Sequence, residues 1–171
     1  IKNNIIYAVL FSTMTMLVSL ILASLLNQLT KFRKLFRTLF FLPYISSMVS
    51  VAVIWKMIFN PAGGPLNTIL QQIGAANPPQ WLASTKWALF AVVIVSVWKS
   101  CGYYMLIFLA GLQNIPDSLY ESAALDGASS LKRYFKITLP MITPSIFLNM
   151  VLVTINSFQV FDLVNVMTEG G

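Results

Sequence analysis

The chain contains no histidine and a single cysteine, Cys101. Those two facts remove a His/Cys metal cage and any internal disulfide, and they leave the redox compartment open. Acids are scarce as well: five Asp and Glu stand against eleven Lys and Arg, for a net charge of +6. No GxxxxGK[ST] loop is present to cradle a nucleotide phosphate. Asp117, Glu121 and Asp126 lie near one another in sequence, but with no histidine or metal motif beside them they read as caps and ion pairs, not as acid–base machinery. Charged residues of either sign make up only 9% of the chain, against about a quarter in soluble domains, which excludes an ordinary soluble fold. The positive balance is therefore to be read by position along a membrane topology and not as a nucleic-acid footprint.

What is present is apolar: 57% of residues are hydrophobic, gathered into four runs at about 5–29, 38–59, 86–111 and 140–164. Each is long enough to cross a hydrocarbon core of roughly 30 Å, which takes about 20 helical residues. The first run is too long for a signal-peptide core and has no small-residue cleavage site, so it too reads as a span. The expected fold is an all-α membrane protein, a polytopic transmembrane helix bundle. The missing initiator methionine and the turn-like ending Glu169-Gly170-Gly171 suggest a piece of a longer polypeptide.

Basic residues set the orientation. Lys31, Arg33, Lys34 and Arg37 fall between the first two runs, and Lys132, Arg133 and Lys136 between the last two. The long break at 60–85 has no charge until Lys86, and the ends of the chain carry Lys2 alone. The positive-inside rule then places loops 30–37 and 113–140 in the cytoplasm and both ends outside. Within the 60–85 break, NPAGGP is a turn cluster and residues 66–73 suit a short interfacial helix.

The stretch 115–140 is a polar island between spans and reads as two short helices. Pro116 suits the first helical position and Asp117 the first turn. Gly127 is placed to stop the first helix in a left-handed cap, and Ser129 or Ser130 to start the second. Leu131 and Phe135 share an apolar face, and Pro140 is expected to end that helix. A compact polar helix pair between spans suits docking of a partner.

Polar residues inside the spans fall on stripes. Ser96, Lys99, Ser100 and Tyr103 share one helical face, and Asn149, Asn156 and Gln159 lead along another towards Asp162. Ser46, Ser47 and Ser50 cluster past Pro43. Together they suggest a wet path between helices, although serines and asparagines in spans are also ordinary interhelical glue, the better reading for the Ser46 cluster. Asp162 also suits the outer headgroups. Lys99 lies about 20 Å along its helix, near the bilayer centre. It either faces a substrate cavity or is neutralised by a neighbour, and Lys99→Ala is expected to change uptake or substrate preference more than assembly.

At the polar island the residues meet a known family. Glu121-Ser122-Ala123, then Gly127, Ile137 and Leu139-Pro140, resemble the EAA loop of bacterial binding-protein-dependent ABC importer permeases, with Ser122 where the family usually has alanine. AGLQNIP before the loop, DGA at Asp126 to Ala128 and ITLP at its end match too. FFLP at Phe40 to Pro43, FNP at Phe59 to Pro61 and the closing TEGG look like the carbohydrate branch, typified by the larger maltose permease subunit. The resemblance implies a single permease domain over 1–171, incomplete at both ends, with four helices of a six-helix core. It implies a non-enzymatic translocation subunit of a sugar importer in the bacterial inner membrane. It also implies that residues 113–140 couple to a dimer of ATP-binding subunits that uses ATP and Mg, with no cofactor in this chain. The docking residues would be Glu121, Ser122, Ala123, Asp126, Gly127, Ala128, Phe135, Ile137, Leu139 and Pro140, with Leu119 and Tyr134 as further anchors. A second permease subunit, an extracytoplasmic solute-binding protein and a sugar would be the other partners. Alternatives are another cargo (a phosphorylated polyol, amino acid or polyamine), an ion-coupled transporter, or a membrane scaffold.

Overall fold

The structure, a computed structural model, describes residues 2–29, 31–61, 63–74, 79–159 and 167. All regular structure among these residues is helical. Helix α1 (Lys2–Gln28) is apolar on every side, yet its buried positions form one seam: Tyr7, Phe11, Thr15, Ser19, Ala23 and Leu26. Steps of three and four keep these residues on one face. The small ones let α1 lie close along the central helix, where the Ser19 hydroxyl donates to the Cys101 carbonyl at 2.9 Å.

Helices α2 (Arg33–Ile45) and α3 (Met48–Ile58) replace the continuous span expected at 38–59, and they bend by 95° at their break. Pro43 is the local cause: it cannot donate to the preceding turn, and α2 ends two residues later. Ser46 and Ser47 are extended there, with ψ of 146° and 133°. The basic loop expected at 30–37 is also mostly helix, since α2 already begins at Arg33. Arg33 turns back onto the end of α1, donating to the carbonyls of Leu26, Asn27 and Leu29 at 3.2, 2.7 and 2.8 Å. A cation there complements the negative end of the helix.

Helix α4 (Pro65–Gln72) is the short helix expected in the 60–85 break. The buried side chain of Asn67 accepts from Trp81 Nε1 at 2.7 Å, and Trp81 packs between Phe59 and Trp87. Helix α5 (Thr85–Gln113) is the central element, packed against α1, α2 and the last helix. Gly102 is where α2 crosses it. A Cβ at that position would collide with the Phe40 carbonyl oxygen, so the crossing demands glycine.

The island folds as α6 (Asp117–Leu125), α7 (Ser130–Arg133), a π-helical turn (Tyr134–Thr138) and α8 (Leu139–Met141), followed by α9 (Thr143–Ser157). Pro116 caps α6 from outside, one position earlier than the sequence suggests. Pro140 does not end its helix. The π-helical turn opens a new register, and Pro140 falls in the first turn of α8, where a missing N–H has no partner to lose. The break comes at Ile142, where 130–141 and 143–157 meet at 64°. Among the described residues two helices are thus long and apolar enough to cross a membrane, and the number rises to four if each bent pair is one span. The last part of the run expected at 140–164, with Asp162, lies outside the described residues.

Two apolar clusters hold the bundle. One gathers Tyr7, Phe11, Val51, Phe59, Val92, Val95, Tyr104 and Val153. The other gathers Ala23, Leu26, Met105, Phe108, Leu112, Ile115 and Ile142 near the polar island. Large apolar side chains such as Val9, Leu17, Ile21 and Phe147 remain exposed on outer faces, as a bilayer solvent favours.

Candidate functional site

Two sites carry the polar chemistry. The first is the α6–α7 pair. Gly127 has φ of +71°, a left-handed residue just past α6. Ala128 N–H donates to Ala123 O at 2.9 Å, and Gly127 N–H to Ala124 O at 3.0 Å. These two bonds make a Schellman cap, which glycine forms without a Cβ penalty. The Ser129 hydroxyl then accepts from Lys132 N–H at 3.4 Å and starts α7.

This pair has two unlike faces. On the inner one, Tyr134 bonds to Ser24 of α1 at 3.1 Å and Tyr120 to Thr138 at 2.9 Å, while Leu139 packs on the second apolar cluster. Tyr134 therefore braces the pair to the bundle, where the sequence had suggested an anchor for a partner. Ile137 and Leu139 are half-buried, as are Ala123 and Ala128. The outer face leaves Leu125, Leu131 and Phe135 exposed by 91%, 73% and 62%, together with Glu121, Ser122, Asp126, Gly127 and Pro140. Ser122 turns its hydroxyl to Ser118 O at 2.8 Å, so it presents a small, self-satisfied surface. Leu119 is partly open, at 39%.

The second site is a cavity of about 270 Å³ between α1, the α2–α3 bend, α5 and the end of α9. Its walls include Ser96, Lys99, Ser100, Asn156 and Gln159, all predicted from sequence, together with Tyr7, Phe11, Tyr44 and Met48. Tyr7 donates to Ser96 Oγ at 2.9 Å, and Ser96 donates to Val92 O at 2.8 Å. Asn156 donates to the Tyr104 hydroxyl at 2.7 Å. Tyr103 acts from behind the wall, stacked on Tyr44 with centroids 4.6 Å apart.

Two predicted members behave differently from the path residues. Asn149 does not line this cavity; fully buried, it donates to Tyr104 O at 3.2 Å and ties α9 to α5. Lys99 does line it, but its three N–H groups meet the carbonyls of Pro43, Tyr44 and Ser46. The neighbour that neutralises Lys99 is backbone. Within this chain Ser46, Ser47 and Ser50 are exposed, and Ser46 bonds to Leu42 O within its own turn. Sequence reading missed Tyr7 and Tyr44. Tyr104 follows Ser96 and Ser100 at steps of four on α5.

Residues 8–171 match the family described as binding-protein-dependent transport system inner membrane component. The chain belongs to that family. The resemblance read from the island therefore holds, and membrane location with it. Among its relatives, the lactose transport system permease protein LacF of Rhizobium radiobacter is 37% identical over 99% of the chain and 57% of its own length. The sn-glycerol-3-phosphate transport system permease protein UgpA of Pectobacterium atrosepticum is 39% identical over the same shares, 99% and 57%. A chain of the crystal structure of a bacterial alginate ABC transporter, in complex with alginate pentasaccharide-bound periplasmic protein, superposes with a TM-score of 0.88. That chain is 28% identical and is matched over 98% of this chain and 59% of its own. The sequence thus spans under two thirds of the length of these permease relatives.

Proposed function

We propose that the chain is the translocation part of a permease subunit in an ATP-driven, binding-protein-dependent sugar importer. The observation that carries this is the α6–α7 pair: a rigid, glycine-capped helix corner, braced inward by Tyr120 and Tyr134 and open outward at Leu125, Leu131 and Phe135. It is built for docking, and its residues follow the EAA pattern. Its partner is a cytoplasmic ATP-binding subunit dimer, which supplies the ATP and Mg chemistry; this chain only transmits motion. Closure of that dimer would swing the pair and, through the π-helical turn and α8, shift α9 against α5 as rigid bodies. ATP and substrate must favour the same conformation, which makes their coupling reciprocal. A second permease subunit completes the path, a solute-binding protein delivers cargo on the α4 side, and both chain ends face outside.

The cargo passes the Tyr7–Ser96–Lys99–Asn156–Gln159 cavity. A phosphorylated polyol is the second reading, favoured by the glycerol-phosphate relative. The cavity favours a neutral polyhydroxy solute: an ammonium has three donors, and those of Lys99 already meet three carbonyls, leaving none for a phosphate. Hydroxyls, amides and tyrosine rings remain, which suit a sugar.

Glu121→Lys and Gly127→Pro in the full transporter test the docking role. Both variants should insert normally, lose co-purifying ATPase and abolish uptake. Proline is excluded at φ of +71° because its ring fixes φ near −65°. Normal ATPase recovery and transport in both would end the docking reading. Competition of labelled lactose uptake by unlabelled sugars and by glycerol phosphate separates the two cargoes.

A further inference from the structure

A second polar cavity, of about 360 Å³, lies where the end of α1, the end of α5 and the inner side of the α6–α7 pair converge. Its volume is at the low end of ordinary ligand cavities, roughly 300–1,000 Å³. None of its lining residues is acidic. Asn27 and Gln28 contribute amides, Ser130 a hydroxyl, and Arg133 a guanidinium. The two hydroxyl pairs Ser24–Tyr134 and Tyr120–Thr138 fix its walls, so the cavity is a built feature of the fold.

Arg133 is what makes it unusual. Its Nε is buried and has no hydrogen-bond partner among the described residues, and its Nη2 donates to Ser130 Oγ at 3.4 Å. A guanidinium carries five donors, and a buried unpaired one is costly. Arg33, by contrast, has its donors engaged by three carbonyls of α1. An oxyanion in the cavity would give Arg133 the forked partner that planar guanidinium geometry suits, after a small shift of the side chain. The amides and hydroxyls around it can complete the anion's shell.

We infer that this cavity binds a phosphate group. It sits at the end of the bundle where Lys31, Arg33, Lys34, Arg37, Lys132 and Lys136 concentrate. In the orientation proposed above, on which this step rests, that is the headgroup level of the cytoplasmic leaflet, where anionic lipids are drawn to basic juxtamembrane segments. A phospholipid headgroup and a free phosphate share this chemistry. A carboxylate from a docked partner fits less well, because the cavity opens between helix ends and the inner side of the pair, away from Leu125, Leu131 and Phe135. Occupancy would tie the α6–α7 pair to α1 and so make coupling depend on the lipid.

The test uses the full transporter in nanodiscs of phosphatidylcholine alone or of equal parts phosphatidylcholine and phosphatidylglycerol. Retained phosphatidylglycerol is counted by native mass spectrometry after purification. Arg133→Gln should lower retention about tenfold, the loss that follows removal of one charged hydrogen-bond partner. Lys132→Gln, an exposed neighbour with the same change in charge, should leave it unchanged. Asn27→Leu, which alters the opposite wall and keeps Arg133, should also lower retention and guards against a folding defect in the first variant. In phosphatidylcholine alone, thermal stabilisation by inorganic phosphate that Arg133→Gln abolishes would assign the same site to a free anion. Equal retention in wild type, Arg133→Gln and Asn27→Leu, with no phosphate effect, overturns the inference. So does an equal fall in Arg133→Gln and Lys132→Gln, which marks unspecific attraction. Loss of ATPase co-purification in Arg133→Gln with lipid retention intact would assign the guanidinium to a partner carboxylate and overturn it as well.

Discussion

Lys99 of α5 is the cap of α2: its ammonium donates to Pro43 O, Tyr44 O and Ser46 O at 3.1, 2.9 and 2.6 Å. The three carbonyls lie at the bend after Pro43, where Pro43 O also accepts from Ser46 N–H at 3.3 Å, at the end of a helix that carries partial negative charge. One cation from the neighbouring helix satisfies them together and holds the 95° corner.

Lys99→Met should therefore act on the corner first. Leaving the carbonyls without a charged donor should cost about 2 kcal/mol, read as a lower melting temperature of the reconstituted transporter. Uptake should fall while the ranking of competing sugars stays the same. Lys99→Arg should recover much of both. A changed sugar ranking with an unchanged melting point would make Lys99 a substrate contact, one of the two roles its sequence position allows.

Gly102→Ala should destabilise the chain by prising α2 from α5. Its Cβ meets the Phe40 backbone oxygen, which cannot rotate away as a side chain could. Separation of α2 from α5 should cost about 1–3 kcal/mol, the usual range for overpacking a close contact. Thermal melting and membrane yield report it.

Two asparagines on one helix should behave differently. Asn149 is buried in the α5–α9 seam, so Asn149→Leu should lower assembly and leave the KM for uptake alone. Asn156 is held by the Tyr104 hydroxyl at the cavity, so Tyr104→Phe should raise KM about threefold or more and spare assembly, as one neutral hydrogen bond warrants. Matching phenotypes in the two variants would place both residues in the seam.

On the outer face, Phe135→Ala should leave the stability of the isolated permease within about 0.5 kcal/mol of wild type, because an exposed side chain loses little burial. Co-purification of the ATPase should drop several-fold, since exposed aromatics anchor interfaces. Gly127→Ala should cost about 1–2 kcal/mol through its positive φ alone, there being open space around the site. The same loss of ATPase should accompany it, in milder form.

Local chemistry sufficed wherever one residue decides one conformation. Hydropathy located the spans because backbone groups in hydrocarbon must be satisfied within a helix. Gly127 and Ser129 announced the corner of the island because a left-handed cap and an N-cap each depend on a single side chain. Chain spacing from Glu121 to Pro140 was enough to identify the family. Long-range contact decided the rest. Pro43 marked a kink in sequence, but its 95° angle depends on a lysine 56 positions away, which no periodicity links to it. Pro140 looked like a stop until a π-helical turn shifted the register and made its missing N–H harmless. Arg133 read as one more basic residue of the island; only the convergence of three helix ends gave it a cavity and left its Nε without a partner among the described residues.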